Sequence, residues 1–345
     1  MRRACIVVLA LMCACGTATP QTRTASTSPT AAQSPSPSPS AAQTLLPFGA
    51  PPFKCRLPIT LFSGAVRSGA FIDFPSGAIT ADPASVEVNV IPKPGRELED
   101  KSYALYFDEA YARWLPVNRN AVSPDGSHYA YIDEGVGGAG WDDLHVVDVK
   151  TAVDQQYAVG PADLHFVVVD YAAEGIYFRD RGSIGSDFFD PVKLEQHLAI
   201  DEGNYQGSAG NGFFWEGVTN PKDPNPVTAN AADELDKVSR VDGSRVAWFY
   251  RPGTSVHFLT QDPKGHPIVV LSTAATNSEE FLYVSSAGVS REILHVGNGA
   301  PAISDPIADS HGVWFGAPDG IYLYTEKDGL RQVSRQGGIP ANGCF

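Results

Sequence analysis

The chain has 345 residues, 43% of them hydrophobic and 19% charged, which is enough apolar material for a core and excludes global disorder. Acidic side chains exceed basic ones by 39 to 25, and a net charge of −14 disfavours nucleic acid or an anionic membrane surface as a direct partner. The 33 glycines and 27 prolines suit many short strands joined by turns better than a helical bundle.

Arg2 and Arg3 precede the apolar run Ile6–Met12, the pattern of a secretory signal and too short to span a bilayer. The run ends in Cys13-Ala14-Cys15 and resembles a bacterial lipoprotein signal. The resemblance implies lipidation of Cys15, which follows the small Ala14 and has Leu11 four positions before it. Met12 departs from the leucine-like residue usual at its position, and an ordinary secretion signal is the alternative. Residues 16–45 hold Ser, Thr, Pro or Ala at 24 of 30 positions, so they have almost nothing apolar to bury and read as an extended, disordered tether. The expected organisation is a signal over 1–15, a tether over 16–45 and a folded body over 46–345.

Of five cysteines, Cys5 and Cys13 leave with the signal and Cys15 carries lipid, so Cys55 and Cys344 remain at the two ends of the body. In an oxidising exterior two such cysteines are expected to pair. Free thiols or intermolecular bonds are the alternatives.

From Leu57 onward the stretches around Asp108–Trp114 and Val192–Ile200 are the only ones expected to form short helices. Elsewhere runs of four to seven β-branched or aromatic residues alternate with turns rich in Gly, Pro, Asp or Asn. Tyr129, Ile176, Phe213, Ile268 and Val313 mark what reads as the second strand of successive units, irregularly spaced near 45 residues. That length accommodates four short strands and their turns, one blade of a β-propeller. The last blade reads as Pro301–Ser304, Gly312–Gly316, Ile321–Thr325 and Leu330–Ser334. The fold class is therefore all-β, a propeller of six four-stranded blades with seven as the alternative.

Val122-Ser123-Pro124-Asp125-Gly126-Ser127-His128-Tyr129-Ala130-Tyr131, followed by Leu144–Val149, resembles the repeat of TolB-like (WD40-like) β-propellers. Weaker echoes stand at Ala317-Pro318-Asp319-Gly320 and Val241-Asp242-Gly243-Ser244. The Gly135–Trp141 insertion and the absence of copies before residue 100 depart from the repeat. Asp125 reads as a turn residue, because Pro presets φ, Asp bonds its own backbone and Gly relieves the exit. A propeller also implies that the ring closes near the termini, where a Cys55–Cys344 bond would clasp it.

The mature body holds no G-x-S-x-G, H-E-x-x-H, C-x-x-C or phosphate-loop motif. Gly203–Gly212 is expected to be a loop between blades. Asp180, Asp187 and Asp190, in what reads as an insertion over Arg179–Val192, match no cation loop, and no metal site or cofactor is expected. Adjacent carboxylates such as Asp142-Asp143 fall on opposite faces of a strand and do not show convergence. Trp141, beside Asp142 and Asp143 in a glycine-rich insertion, gives the candidate ligand-binding set, suited to a carbohydrate or a cation; packing of Trp141 back onto the propeller is the alternative.

The expected function is a lipid-anchored, extracytoplasmic, non-catalytic binding or scaffold module for a protein, peptide or glycan, monomeric and touching membrane only through its anchor. The alternative is an extracellular propeller enzyme, a glycoside hydrolase, lyase or peptide-processing enzyme, with its site at the mouth of the central channel.

Overall fold

A computed structural model describes residues 48–63, 66–86, 96–98, 105–135, 140–161, 163–181, 185–201, 203–222, 232–273, 278–296 and 306–345. The segments expected to be a signal with Cys15 and a tether, the centre of the Gly135–Trp141 insertion and the strand expected at Pro301–Ser304 lie outside the described residues.

The body is a β-propeller that shows, among the described residues, six four-stranded antiparallel sheets and one two-stranded hairpin. Sheet one holds β1 (Cys55–Ser63), β2 (Val66–Phe74) and β3 (Ala78–Asp82). Sheet two holds β4 (Arg96–Leu98) and then, after the hairpin β5 (Tyr106–Asp108) and β6 (Arg113–Leu115), β7 (His128–Gly135), β8 (Trp141–Asp148) and β9 (Asp154–Pro161). Sheet three is β10 (Phe166–Ala172), β11 (Gly175–Asp180), β12 (Ser186–Asp190) and β13 (Glu195–Ile200). Sheet four is β14 (Asn204–Gly210), β15 (Phe213–Val218), β16 (Glu234–Ser239) and β17 (Arg245–Tyr250). Sheet five is β18 (Ser255–Gln261), β19 (Pro267–Thr273), β20 (Ser278–Ser286) and β21 (Val289–Val296). Sheet six is β22 (Ile307–Asp309), β23 (Gly312–Ala317), β24 (Gly320–Thr325) and β25 (Gly329–Ser334). The last strand, β26 (Ile339–Pro340), returns to sheet one and pairs with β1. Tyr129, Ile176, Phe213, Ile268 and Val313 all fall on the second strand of their sheets.

Neighbouring sheets bury apolar faces against each other all the way round. Ile132 and Leu144 of sheet two pack on Ile176 and Phe178 of sheet three. Tyr177 and Phe188 of sheet three meet Tyr205 of sheet four. Trp215 and Leu235 face Val256 and Leu282 of sheet five, and Ile268 and Phe281 face Val313 and Phe315 of sheet six. Trp314 and Leu323 complete the circle against Leu57 and Ile72 of sheet one. Between sheets one and two the hairpin acts as a wedge, with Phe107 and Trp114 on Phe71 and Tyr106 and Leu115 on Tyr131 and Val147. Each fully buried large side chain in these seams contributes about 1.5–3 kcal/mol by leaving water. The first strands β10, β14, β18 and β22 contact one another in succession, so they surround the axis.

The ring is clasped as the cysteine positions implied. Cys55 and Cys344 form a disulfide with Cα atoms 5.5 Å apart. The amides of Arg56 and Phe345 bond reciprocally to each other's carbonyls at 2.7 and 3.2 Å. Beside them the Phe345 ring stacks on Phe107.

Four local expectations are corrected. Asp108–Trp114 is part of the wedge hairpin, not a helix: the Asp108 carboxylate accepts from the amides of Ala110 and Tyr111, and Ala112 turns the chain at φ 48°. Val192–Ile200 is a turn leading into β13, closed by Asp190, whose carboxylate accepts from the amides of Val192 and Lys193. Arg179–Val192 is no insertion, because β12 occupies its second half and pairs with β11 and β13. Gly203–Gly212 is mostly β14, a first strand. Its glycines permit close approach: a Cβ on Gly207 would lie 2.7 Å from the Phe258 ring, and one on Gly203 2.3 Å from a Glu216 carboxylate oxygen.

Candidate functional site

The turn that carries the repeat resemblance also forms one wall of a cleft. Asp125 Oδ1 accepts from the Ser127 amide at 3.0 Å and from the hydroxyls of Ser123 and Ser127 at 2.7 and 2.8 Å, and Gly126 follows at φ 72°. The Ser127 amide leads the donors that pull the Asp125 carboxyl down to about 2. All these donors are neutral. The carboxylate is thus fixed as an anion with no counter-cation among the described residues.

The cleft, about 490 Å³, opens between sheets two and three. Ser123, Asp125, Ser127 and His128 line one side, and Tyr171, Ala172, Glu174 and Gly175 the other. Val146 and Gln155 also line it, together with Pro191 and Val192, which is 89% exposed. The Glu174 wall is braced from sheet four. Arg240 pairs with Glu174, and its guanidinium lies 5.3 Å from the Tyr177 ring centroid and 5.7 Å from that of Tyr205. Those rings stack 3.8 Å apart and parallel to within 1°. The Tyr205 hydroxyl donates to Asp170 Oδ2 at 2.7 Å, and the Ser208 amide does so at 3.0 Å. Burial pushes the Asp170 carboxyl up to about 6 against the pull of these two donors. Glu174 is therefore neutralised by its arginine, whereas Asp125 is not.

Within the cleft, Ser127 Oγ lies 2.7 Å from His128 Nδ1, and His128 Nε2 lies 3.8 Å from Asp148 Oδ2. The order of groups imitates a serine–histidine–aspartate relay, but the protons do not. A serine hydroxyl has one proton, and Asp125 Oδ1 takes it, so the His128 Nδ1–H donates to Ser127 rather than withdrawing its proton. The same pair of bonds recurs where the Ser244 amide and hydroxyl reach Asp242 Oδ1 at 3.1 and 2.9 Å, with Arg245 next in the chain instead of a histidine. Turn geometry accounts for both.

The set named from sequence lies at the other end of sheet two. Trp141 is the first residue of β8 rather than part of a loop, pairs with Pro161 and is 58% exposed. Asp142 is fully buried, and its Oδ2 accepts from the Phe166 amide at 3.3 Å, tying sheet two to the start of β10. Asp143 is half-buried opposite Asp133. Strand alternation thus separates Trp141 from Asp142, and one ligand cannot use both.

Sequence reading missed a charge cluster around the buried His145 on the same sheet. His145 Nε2 lies 3.2 Å from Asp133 Oδ1, and its Nδ1 lies 2.9 Å from Asp154 Oδ2. Tyr131 stacks on the imidazole at 4.3 Å. Burial opposes the imidazolium, but bonds to both carboxylates outweigh it and raise the His145 pKa. The strand alternation around Tyr131, Asp133 and His145 was the available signal, yet only the β7–β8–β9 register brings the three strands together.

No family model and no curated protein matches the sequence. Among solved structures the fold is similar to TolB from Acinetobacter baumannii, at 11% identity and TM-score 0.47, over 83% of this chain and 65% of that one. It is similar to a prolyl endopeptidase at 11% identity and TM-score 0.49, over 81% of this chain and 49% of that one. A putative 6-phosphogluconolactonase from Bacteroides fragilis NCTC 9343 matches at 10% identity and TM-score 0.45, over 85% of this chain and 98% of that one. The chain thus spans about two thirds of the TolB and half of the endopeptidase, and the likeness concerns the fold. Among the described residues no helix is long and apolar enough to cross a membrane.

Proposed function

We propose that the protein is an extracytoplasmic binding module, held by lipid on Cys15 and the 16–45 tether, whose cleft between sheets two and three takes a positively charged side chain of a peptide. The observation that carries this reading is Asp125, fixed as an anion by neutral donors and set in a cleft of about 490 Å³ beside the apolar surfaces of Tyr171 and Val192. A lysine or arginine side chain offers both the cation for Asp125 and a methylene stem for those surfaces. Glu174, already paired with Arg240, sets the shape of the wall.

The test is titration of the soluble body, residues 46–345, with peptides containing lysine or its neutral isostere norleucine. Binding should favour lysine and weaken steeply with salt. Val192→Arg, which sets a cation on the rim, should weaken it at least tenfold. Equal binding of the two peptides, or indifference to Val192→Arg, refutes the reading. Anchoring is tested separately: Cys15→Ala should move the protein from the membrane fraction to the medium.

A further inference from the structure

The two carboxylates that line the cleft are engaged in different ways. At Asp125 the bonds from other residues all end on one oxygen. Oδ1 accepts from the Ser123 hydroxyl at 2.7 Å, the Ser127 hydroxyl at 2.8 Å and the Ser127 amide at 3.0 Å. Among the described residues no such bond reaches Oδ2. His128 holds both hydroxyls in these roles from behind: Ser123 Oγ accepts from its amide at 2.9 Å, and Ser127 Oγ accepts from its Nδ1–H at 2.7 Å. Each hydroxyl has one proton, and it points at Oδ1. Turning either hydroxyl away would break bonds on both of its sides. Glu174 is the contrast. Its Oε1 receives one neutral donor among the described residues, the Tyr177 hydroxyl at 3.0 Å, and this carboxylate takes the guanidinium of Arg240.

We propose that the cleft selects lysine over arginine, because Ser123 and Ser127 fill one oxygen of Asp125 and leave Oδ2 for the ligand. The inference rests on the peptide reading above and narrows it. A guanidinium meets a carboxylate best as a two-pronged fork, one N–H to each oxygen. A carboxylate has about four lone-pair sites, two per oxygen, and three donors already exceed the share of Oδ1. An arginine set against Asp125 would therefore aim its second prong at a filled oxygen. An ammonium is a compact point charge with rotatable donors, and a single N–H to Oδ2 satisfies the pair.

The probes are three peptides identical except for lysine, arginine or norleucine at one position, titrated by calorimetry into the soluble body. Lysine should bind about tenfold tighter than arginine, the worth of one charge-assisted bond. Ser127→Ala removes a hydroxyl donor from Oδ1 and keeps the amide bond. It should narrow the lysine-to-arginine ratio to about threefold or less by strengthening arginine, with a melting curve confirming the fold. Val192→Arg should weaken both cationic peptides and leave their ratio unchanged. Lysine and arginine binding equally, or arginine binding tighter, with both above norleucine, overturns the selectivity and leaves the peptide reading standing. A folded Ser127→Ala variant with the parent's ratio does the same. Norleucine binding as well as lysine overturns both, and the parent ratio alone decides the matter where Ser127→Ala does not fold.

Discussion

Removing the ring clasp is the most quantitative perturbation the fold offers. Cys55 and Cys344 lie 289 positions apart, and the loop-entropy relation gives about 5.7 kcal/mol for closing a loop of that length. That is an upper figure. The termini also meet through β26 on β1, through the paired amides of Arg56 and Phe345, and through the bond from the Ala341 amide to the Pro58 carbonyl at 2.8 Å. Those contacts survive loss of the bond, so a Cys55→Ala/Cys344→Ala variant should lose about 2–5 kcal/mol. A body of this size unfolds with an entropy near 0.6 kcal/mol per degree, so its midpoint should fall by about 3–8 °C. Calorimetry with and without reductant is the assay: reduced wild type should melt with the oxidised double variant, and both should melt below oxidised wild type. If the double variant melts with oxidised wild type, the clasp contributes nothing and the closure argument fails.

Three further perturbations read other parts of the scaffold. Asp125→Ala removes the acceptor of three bonds and should cost about 1–2 kcal/mol in denaturant titrations; an unchanged midpoint would show the turn is not held this way. A Cβ on Gly69 would lie 2.3 Å from the Trp114 ring, so Gly69→Ala should displace the wedge hairpin, cost about 1–3 kcal/mol and shift tryptophan emission. His145 titrates with a raised pKa in the folded state, so its stabilising share is complete below the unfolded value near 6.5 and is lost as pH rises through the folded value. His145→Gln should therefore flatten the fall in stability above about pH 6.5, and an identical pH profile in both proteins would remove the Asp133–His145–Asp154 account.

The fold was legible where apolar runs lie inside a sheet. Second strands such as Gly312–Ala317 are buried almost throughout, so they read as continuous β-branched or aromatic segments. Outer strands read poorly: Glu195–Ile200 is exposed at five of six positions, and its Glu-Gln-His-Leu order imitates a polar helix. Gly203–Gly212 hid a strand because packing against Glu216 and Phe258 requires glycine there. The Asp108–Trp114 hairpin depends on an alanine at positive φ, which no residue type announces. The sites were less legible still. Asp125 and Glu174 face one cleft from different sheets, which no local pattern announces.

The ring has two distinct ends, and this separates the cleft from the Trp141 set. Asp142 accepts from the amide of Phe166, so the start of β8 lies at the end where β10 begins. His128, the first residue of β7, lines the cleft with Ala172, the last of β10, so the cleft belongs to the opposite end. The eight residues of β8 span about 24 Å at strand rise. A ligand gripped at Asp125 is therefore beyond the reach of Trp141. Trp141→Ala should leave both the melting temperature and lysine-peptide binding within error, since its ring is 58% exposed and far from the cleft. If that substitution abolishes peptide binding while the fold is intact, the peptide docks on the Trp141 end, and the cleft is a by-product of the turn that builds it.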